Sequence, residues 1–425
     1  MDRAPVVGIL LTIPLFAAMF GGEYLLGRMR GTNWYRGTID LCANVSSGLW
    51  NLLVAGTGLV FVVVSYDWMV DHLAVVHLGS SVAAAVVALV LLDFGFYWLH
   101  RAMHRSNVLW QLHLVHHSGE TLNLSAAFRQ GGTPLSIRFV ILAPTALLGV
   151  DPVLMALVGG VHLAGGYWPH THAIDGLGPL GRIFITPSDH RVHHAVNDAY
   201  LDRNYGAWFS WWDRWFGTYV PERADDPPVF GLTHPVRTFN PLRMDLHHWK
   251  HMAHDTVHAS SMADRLRIWF GPTGWRPADV AADHPVAGLP DDEARRAYVP
   301  YAPGGNRLAR AWSFVETSVE ALLAISLFWA ISQGLPRADA VAAAGLLLFS
   351  IVTYTTAMDG RPHVGLEVGR VAIAAVLAVT AFHGAPLALA VVGFYALAVV
   401  VERITVRTPA PAVGWEPAMA TASVG

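Results

Sequence analysis

The sequence predicts an all-α integral membrane protein: a transmembrane helical bundle with a re-entrant or hairpin helix pair and a cytoplasmic, histidine-rich cap. Three observations predict it. Of 425 residues, 53% are hydrophobic and only 14% charged, where a soluble domain carries about 25% charged residues. Apolar stretches of membrane-spanning length recur along the chain. Three histidine strings lie just beyond long apolar runs: His100 and His104 in HRAMH, His113, His116 and His117 in HLVHH, and His190, His193 and His194 in HRVHH.

A span needs about 20 mostly apolar residues. The first candidate, 5–26, lacks a weighty basic start and a small-x-small cleavage site and runs on into Arg28 and Arg30, so it reads as a retained span rather than a signal peptide. Further candidates are 48–66, 79–99, 311–331, 338–357, 364–382 and 385–402. The stretch 136–166 is too long for one span and breaks at Gly149-Val150-Asp151-Pro152, a turn signal, so it reads as a helical hairpin that dips in and returns.

Arg28, Arg30, Arg36, Arg101, Arg105, Arg403 and Arg407 follow spans, whereas the loop from Tyr66 to His77 has Asp67 and Asp71 but no Lys or Arg. The excess of basic residues on one side orients the chain. Threading the spans in order then places all three histidine strings on the cytoplasmic face of a multi-pass protein. From about 195 to 310 the chain turns polar and rich in Pro, Asp and Arg, with Trp211, Trp212, Trp215, Phe216, Trp249, Trp269 and Trp275, a density suited to the headgroup zone. The division expected is 1–230 for the histidine-bearing domain, 231–310 for an interfacial cap and 311–425 for C-terminal spans and tail.

A net charge of −3 without a basic cluster argues against nucleic acid as a partner. Cys42 is the only cysteine, which excludes an internal disulfide framework, a zinc ribbon or iron held by thiolates.

Spacing of three or four stacks imidazoles on one helical face, and neutral imidazole suits iron, zinc and copper. Eight such groups exceed what one catalytic zinc takes, so they point to a pair of metal ions. His170 in YWPHTH follows the hairpin and is a ninth candidate ligand, with His172 a tenth. Ligating rings need their other nitrogen anchored. Glu120 and Asn123, after the second string, are the candidate catalytic or anchoring groups, beside Asp93, Tyr97, Asp189, Asp198 and Asn204. His247, His251, His254 and His258 form one helical stripe that reads as the wet face of an amphipathic helix or as an accessory metal site.

HExxH, the pair of a zinc metalloprotease, is absent, as is the Glu-x-x-His of soluble di-iron bundles. A metal or haem transporter would hold its site near the bilayer midplane on broken helices, whereas these histidines cluster at one surface.

The three strings, with TPSDHRVHHAVNDAYLDRNYGAWFSWWDRWFGTYVPE and HHSGETLNLSAAFRQ, resemble the sterol desaturase / fatty acid hydroxylase superfamily over roughly Leu52 to Glu222. GLTHPVRTFNP, IWFGPTGWRP and MDGRP extend the resemblance toward the alkylglycerol monooxygenases. The resemblance implies a non-haem di-iron centre held by histidine, dioxygen as co-substrate and a lipid substrate. It further implies an electron donor, tetrahydrobiopterin or an electron-transfer protein. The chemistry implied is hydroxylation next to an ether oxygen, with sterol or fatty-acyl hydroxylation or desaturation as the alternative. Two positions depart from the alkylglycerol pattern: Arg105 stands where those enzymes have an acidic residue, and His172 where they favour glutamate.

Overall fold

The computed structural model describes residues 16, 18–32, 34–35, 37–56, 65–132, 138–303 and 306–405. Among these, regular structure is helical and extended chain pairs only in isolated bridges. Residues 18–29 form α1; the rest of the predicted first span lies largely outside the described residues. Helix α2 (Thr38–Gly56) begins well before the span predicted at 48–66, and residues 57–64 lie outside the described set. The early turns of α2 escape a hydropathy reading because they carry polar ties. Asn44 Nδ2 donates to Ser125 Oγ (2.9 Å), Ser47 Oγ to the Gln130 carbonyl (2.7 Å), and Ser46 Oγ meets Tyr354 Oη (2.6 Å). The short helix α3 (Tyr66–Leu73) follows.

Helix α4 (Val82–Arg105) matches the span expected at 79–99 and extends past it. Ser81 starts it by accepting the Ala84 amide (3.1 Å), an N-cap that satisfies an orphan donor. The chain breaks at Ser106 and reverses into α5 (Asn107–His117), so the first two histidine strings face each other across one corner.

Where the hairpin is expected, two helices, α6 (Arg138–Leu147) and α7 (Pro152–Tyr167), are joined by a turn. Gly149 makes the turn with φ 61°, and a Cβ there would come 2.2 Å from the Val76 carbonyl oxygen. Asp151 caps α7 by accepting from Val153 and Leu154, both at 3.0 Å, and Pro152 occupies the first turn, where its missing N–H costs nothing. Both helices pack on α4. Asp93 of α4 locks the group together: its carboxylate pairs with His162 Nε2 (2.9 Å) and accepts from the Trp208 and Phe209 amides and Trp212 Nε1.

Two short helices, α8 (Pro187–His194) and α9 (Trp211–Trp215), precede the cap, which consists of α10 (Pro241–His258), α11 (Met262–Phe270), α12 (Ala278–Asp283) and α13 (Asp292–Ala297). Cap helices α10 and α11 press on α5. Asn107 Nδ2 donates to the Ile268 carbonyl (2.8 Å), while Gln111 donates to the Asp245 carbonyl (2.7 Å) and accepts the His248 amide (3.0 Å). The histidine-bearing helix α5 is thus clamped between α4 and the cap.

The chain ends in α14 (Arg307–Ser332), α15 (Arg337–Met358), α16 (Val364–Thr380) and α17 (Pro386–Thr405), close to the four predicted C-terminal spans. Among the described residues, α4, α14, α15 and α17 are long and apolar enough to cross a membrane; α16, at 17 residues, is shorter. One apolar core joins Leu49 and Leu53 of α2 to Phe328, Leu347 and Ile351, so the C-terminal helices are built onto the N-terminal half.

Glu316, Glu320, Glu367, Arg370 and Glu402 of these helices are buried. Fully buried Arg370 donates to Glu316 (3.0 Å), Ser350 (3.2 Å) and Glu402 (3.5 Å). Charges buried in an apolar bundle are tolerated only when paired. Arg370→Ala strands two carboxylates and is expected to cost about 3–5 kcal/mol, read as a large fall in melting temperature in detergent. A melting curve that matched the parent would disprove this structural role.

Candidate metal centre

Nine imidazoles converge. The ring nitrogens of His100, His104, His113, His117 and His193 all lie within 4.8 Å of one another, and so do those of His116, His170, His190 and His194. All nine side chains are buried. The eight histidines of the three strings are therefore brought together, with His170 completing the second group. His172 falls outside both, its ring 5.8 Å from that of Phe230. His170 and His172 both lie in irregular chain after α7 ends at Tyr167; His170 is held by its Nδ1 contact with the Tyr167 carbonyl (3.0 Å), whereas His172 faces Phe230.

Local structure explains the convergence. His100 and His104 sit one turn apart at the end of α4, and His113, His116 and His117 form the last turns of α5. Helix α8 is short and polar, yet its start is strongly specified: Thr186 and Asp189 form a reciprocal capping box and Pro187 opens the first turn. Arg191, between the histidines of α8, grips Glu222 through three contacts of 2.7–3.0 Å and donates to the Thr171 carbonyl (3.1 Å). That carbonyl neighbours His170, so one guanidinium fixes two ligand-bearing segments. Arg191→Ala is expected to destabilise the protein by about 3 kcal/mol or more; unaltered thermal stability would count against it.

The anchors of the rings are mostly backbone carbonyls. Nδ1 of His100 points to the Tyr205 carbonyl (2.7 Å), that of His116 to Arg129 (3.2 Å), that of His170 to Tyr167 (3.0 Å) and that of His193 to Arg203 (3.0 Å). A carbonyl only accepts, so in His100, His170 and His193 the proton sits on Nδ1 and Nε2 presents a lone pair; His116 Nδ1 also meets the Gln130 side-chain Nε2 at 3.2 Å. The Nε2 atoms of His116 and His170 face each other at 3.2 Å. Other Nε2 pairs are as close: His100–His113 at 2.9 Å, His190–His170 at 2.9 Å and His194–His190 at 3.0 Å. Nε2 of His104 and of His193 is buried without a hydrogen-bond partner.

Protonation does not resolve this crowding. Burial, reinforced by neighbouring imidazoles, holds His113, His117, His190, His193 and His194 well below the ordinary histidine value. Burial also lowers His116 to about 4. Neutral rings with converging lone pairs fit metal cations in both groups.

The loop 201–205 carries two of the anchoring carbonyls, and it is bent through left-handed backbone at Asp202 (φ 58°) and Asn204 (φ 53°). Asn204 holds the bend: Nδ2 donates to the Asp189 and Val220 carbonyls (3.0 and 2.8 Å), and Oδ1 accepts the Val220 amide (2.8 Å). Asp202 also stands 3.6 Å from His104 Nδ1 and 3.8 Å from Arg105. Strain of this kind collects where geometry must be fixed. Asn204→Ala is expected to weaken metal retention about 10–100-fold, the usual cost of removing an outer support, as measured by metal content after dialysis.

The other candidates have structural partners. Glu120 accepts from Tyr298 Oη (2.8 Å) and the Tyr301 amide (2.5 Å). Asn123 starts a 3-10 turn by accepting the Ser125 amide (3.1 Å), and its Nδ2 donates to the Trp34 carbonyl (3.2 Å). Asp93 serves His162, as described; Tyr97 meets Thr218 (2.9 Å), Asp189 caps α8 and Asp198 pairs with Arg295. Glu23 of α1 accepts from Tyr35 (2.6 Å), the Leu124 amide (2.8 Å) and Thr171, and so braces the segment bearing His170.

A cavity of about 300 Å³ opens from the cap onto His104, His117, His193 and His194. Its far wall includes His234, His247, His248 and His251. The α10 histidine stripe is therefore divided: His247 and His251 are half-buried and face the cavity, whereas His254 and His258 are exposed.

Residues 85–218 match the family model described as Fatty acid hydroxylase. The chain is 34% identical to human alkylglycerol monooxygenase over 226 residues, covering 53% of this chain and 49% of the human protein. It is 33% identical to the zebrafish alkylglycerol monooxygenase over 266 residues (62% and 59% of the two chains). It is also 34% identical to the ornithine lipid hydroxylase OlsE of Rhizobium tropici over 153 residues (36% and 46%). The matches thus span about half the length of these curated relatives. No solved structure matches the chain.

Proposed function

We propose that this protein is an integral-membrane, dioxygen-dependent lipid monooxygenase that holds two iron ions in its two imidazole groups and cleaves alkylglycerol ethers. The observation that carries the reading is the set of nine buried, neutral imidazoles whose lone pairs meet in two groups at the end of the apolar helix α4. Ferrous ions held there supply dioxygen activation strong enough to break an unactivated C–H bond, which side-chain acids and bases cannot do.

The chain's own residues bind, orient and exclude water. The carbonyls of Tyr205, Tyr167 and Arg203 fix tautomer and ring direction, and that of Arg129, with the Gln130 side chain, holds the His116 ring. Glu120 and Asn123 act as positioning residues, holding the connection after α5 in place. The cap cavity, at the lower end of small-molecule pocket volumes, admits the electron donor, a tetrahydrobiopterin or an electron-transfer protein. The lipid tail approaches from the membrane beside α4 and the α6–α7 pair, which re-enters the bilayer, with the metal centre on the cytoplasmic face. Hydroxylation of the carbon next to the ether oxygen consumes one dioxygen, two electrons and two protons and releases water. The resulting hemiacetal collapses to a fatty aldehyde and glycerol.

The alkylglycerol matches favour ether cleavage over sterol or fatty-acyl hydroxylation or desaturation. The experiment supplies iron-loaded protein with an alkylglycerol, a sterol and a free fatty acid, each with and without tetrahydrobiopterin. Pterin-dependent fatty aldehyde from the alkylglycerol is the expected product. Oxidised sterol or fatty acid without aldehyde would move the assignment to the alternative, and turnover of none of the three would overturn it.

A further inference from the structure

The exposed end of the α10 stripe has a construction the oxygenase reading does not use. His254 and His258, one turn apart in the last turns of α10, meet His284, the residue that follows α12. Their ring centroids lie 4.2, 4.3 and 4.8 Å apart, and one ring nitrogen from each falls within 4.8 Å of the others. We propose that His254, His258 and His284 form a third metal site, on the cap surface, for a late first-row divalent cation such as Zn²⁺.

The site is built beyond the proximity of three side chains. His258 directs Nδ1 at the His254 carbonyl (2.8 Å), which puts its proton there and leaves the Nε2 lone pair free. His254 directs Nδ1 at the Asp255 carboxylate (3.3 Å), the arrangement that orients histidine ligands in metal sites. Asp255 is held in turn by Arg276 (2.6 and 2.8 Å), and the same guanidinium donates to the His284 carbonyl (2.8 Å). The Asp255–Arg276 pair thus orients His254 and pins the backbone of His284, while the His254 carbonyl sets His258.

Zinc–nitrogen bonds of about 2.0–2.1 Å put tetrahedral ligands roughly 3.4 Å apart. His254 and His258 are exposed and His284 is half-buried, so rotation about the side-chain bonds of the two α10 histidines closes the remaining gap without disturbing a core. Three imidazoles leave a fourth position for water, and an all-nitrogen set selects zinc, copper or nickel over magnesium or calcium. Bound there, the ion ties α10 to the chain after α12.

This site does not depend on the identity of the buried ions, and the test separates the two. Full-length, untagged protein with its buried metal in place is dialysed against rising Zn²⁺, and exchangeable zinc is counted apart from metal resistant to a brief chelator wash. One exchangeable ion per chain is expected. The double variant His258→Ala, His284→Ala should weaken it at least tenfold and leave the wash-resistant metal unchanged. Co²⁺ in place of zinc should give visible absorption in the parent that the double variant loses. Exchangeable zinc binding equally to both proteins, or absent from the parent, overturns the site. A wash-resistant count other than two would bear on the buried centre alone.

Discussion

His170→Ala is expected to abolish turnover, by at least about 100-fold, and to remove one ion per chain, whereas His172→Ala keeps both ions. The two residues are separated only by Thr171 and have the same chemistry, so composition and charge are matched. What differs is placement. His170 Nε2 lies 3.2 Å from His116 and 2.9 Å from His190 at the centre of the four-imidazole group, with its Nδ1 on the Tyr167 carbonyl. His172 lies against Phe230. Without His170 the second group retains three imidazoles, and Nε2 of His116 and of His190 lose the ring nitrogen they face. Metal content and rate measured together decide the matter. Full metal content in His170→Ala, or metal loss equal to it in His172→Ala, would remove His170 from the centre.

Much of this arrangement was legible in the sequence, and the remainder was not for identifiable reasons. Imidazoles at i, i+3 and i+4 announce a shared helical face, and the eight string histidines do share the site. The Gly149–Pro152 break between α6 and α7 was readable because a left-handed glycine and a first-turn proline leave a chemical signature. Helix α2 was displaced because its spans were sought by hydropathy, while Asn44, Ser46 and Ser47 face inward to bond other segments.

The ring anchors could not be read at all. Four are backbone carbonyls, which every residue possesses, and the loop that supplies two of them depends on left-handed residues at Asp202 and Asn204. Acidic residues near the strings are the anchors the sequence suggests, and the fold uses Asp93 and Asp189 to lock helices. Nor could the sequence divide the α10 stripe, since whether His251 or His254 is covered depends on what packs there, which only the tertiary fold determines.

Stripping the buried metal is expected to lower the melting temperature by on the order of 10 °C, with recovery when ferrous ion is returned under anaerobic conditions. An ion held a thousandfold above its Kd stabilises the folded state by about 4 kcal/mol, and there are two groups to fill. The structural reason is specific to this site. Without metal, Nε2 of His116 and of His170 crowd each other at 3.2 Å. Nε2 of His104 and of His193 is left buried with nothing to bond. The protein cannot relieve this by taking up protons near neutral pH, because burial holds His116 down at about 4 and its neighbours well below their usual value. Nor can the rings swing outward, because Tyr205, Arg129, Tyr167 and Arg203 grip them from behind. The strain must therefore appear in the stability of α5 and α8 themselves, where hydrogen exchange should report faster opening in the stripped protein. A stripped protein that melted with the loaded one, and exchanged no faster in α5 or α8, would mean that these nine rings are packed for some purpose other than holding metal.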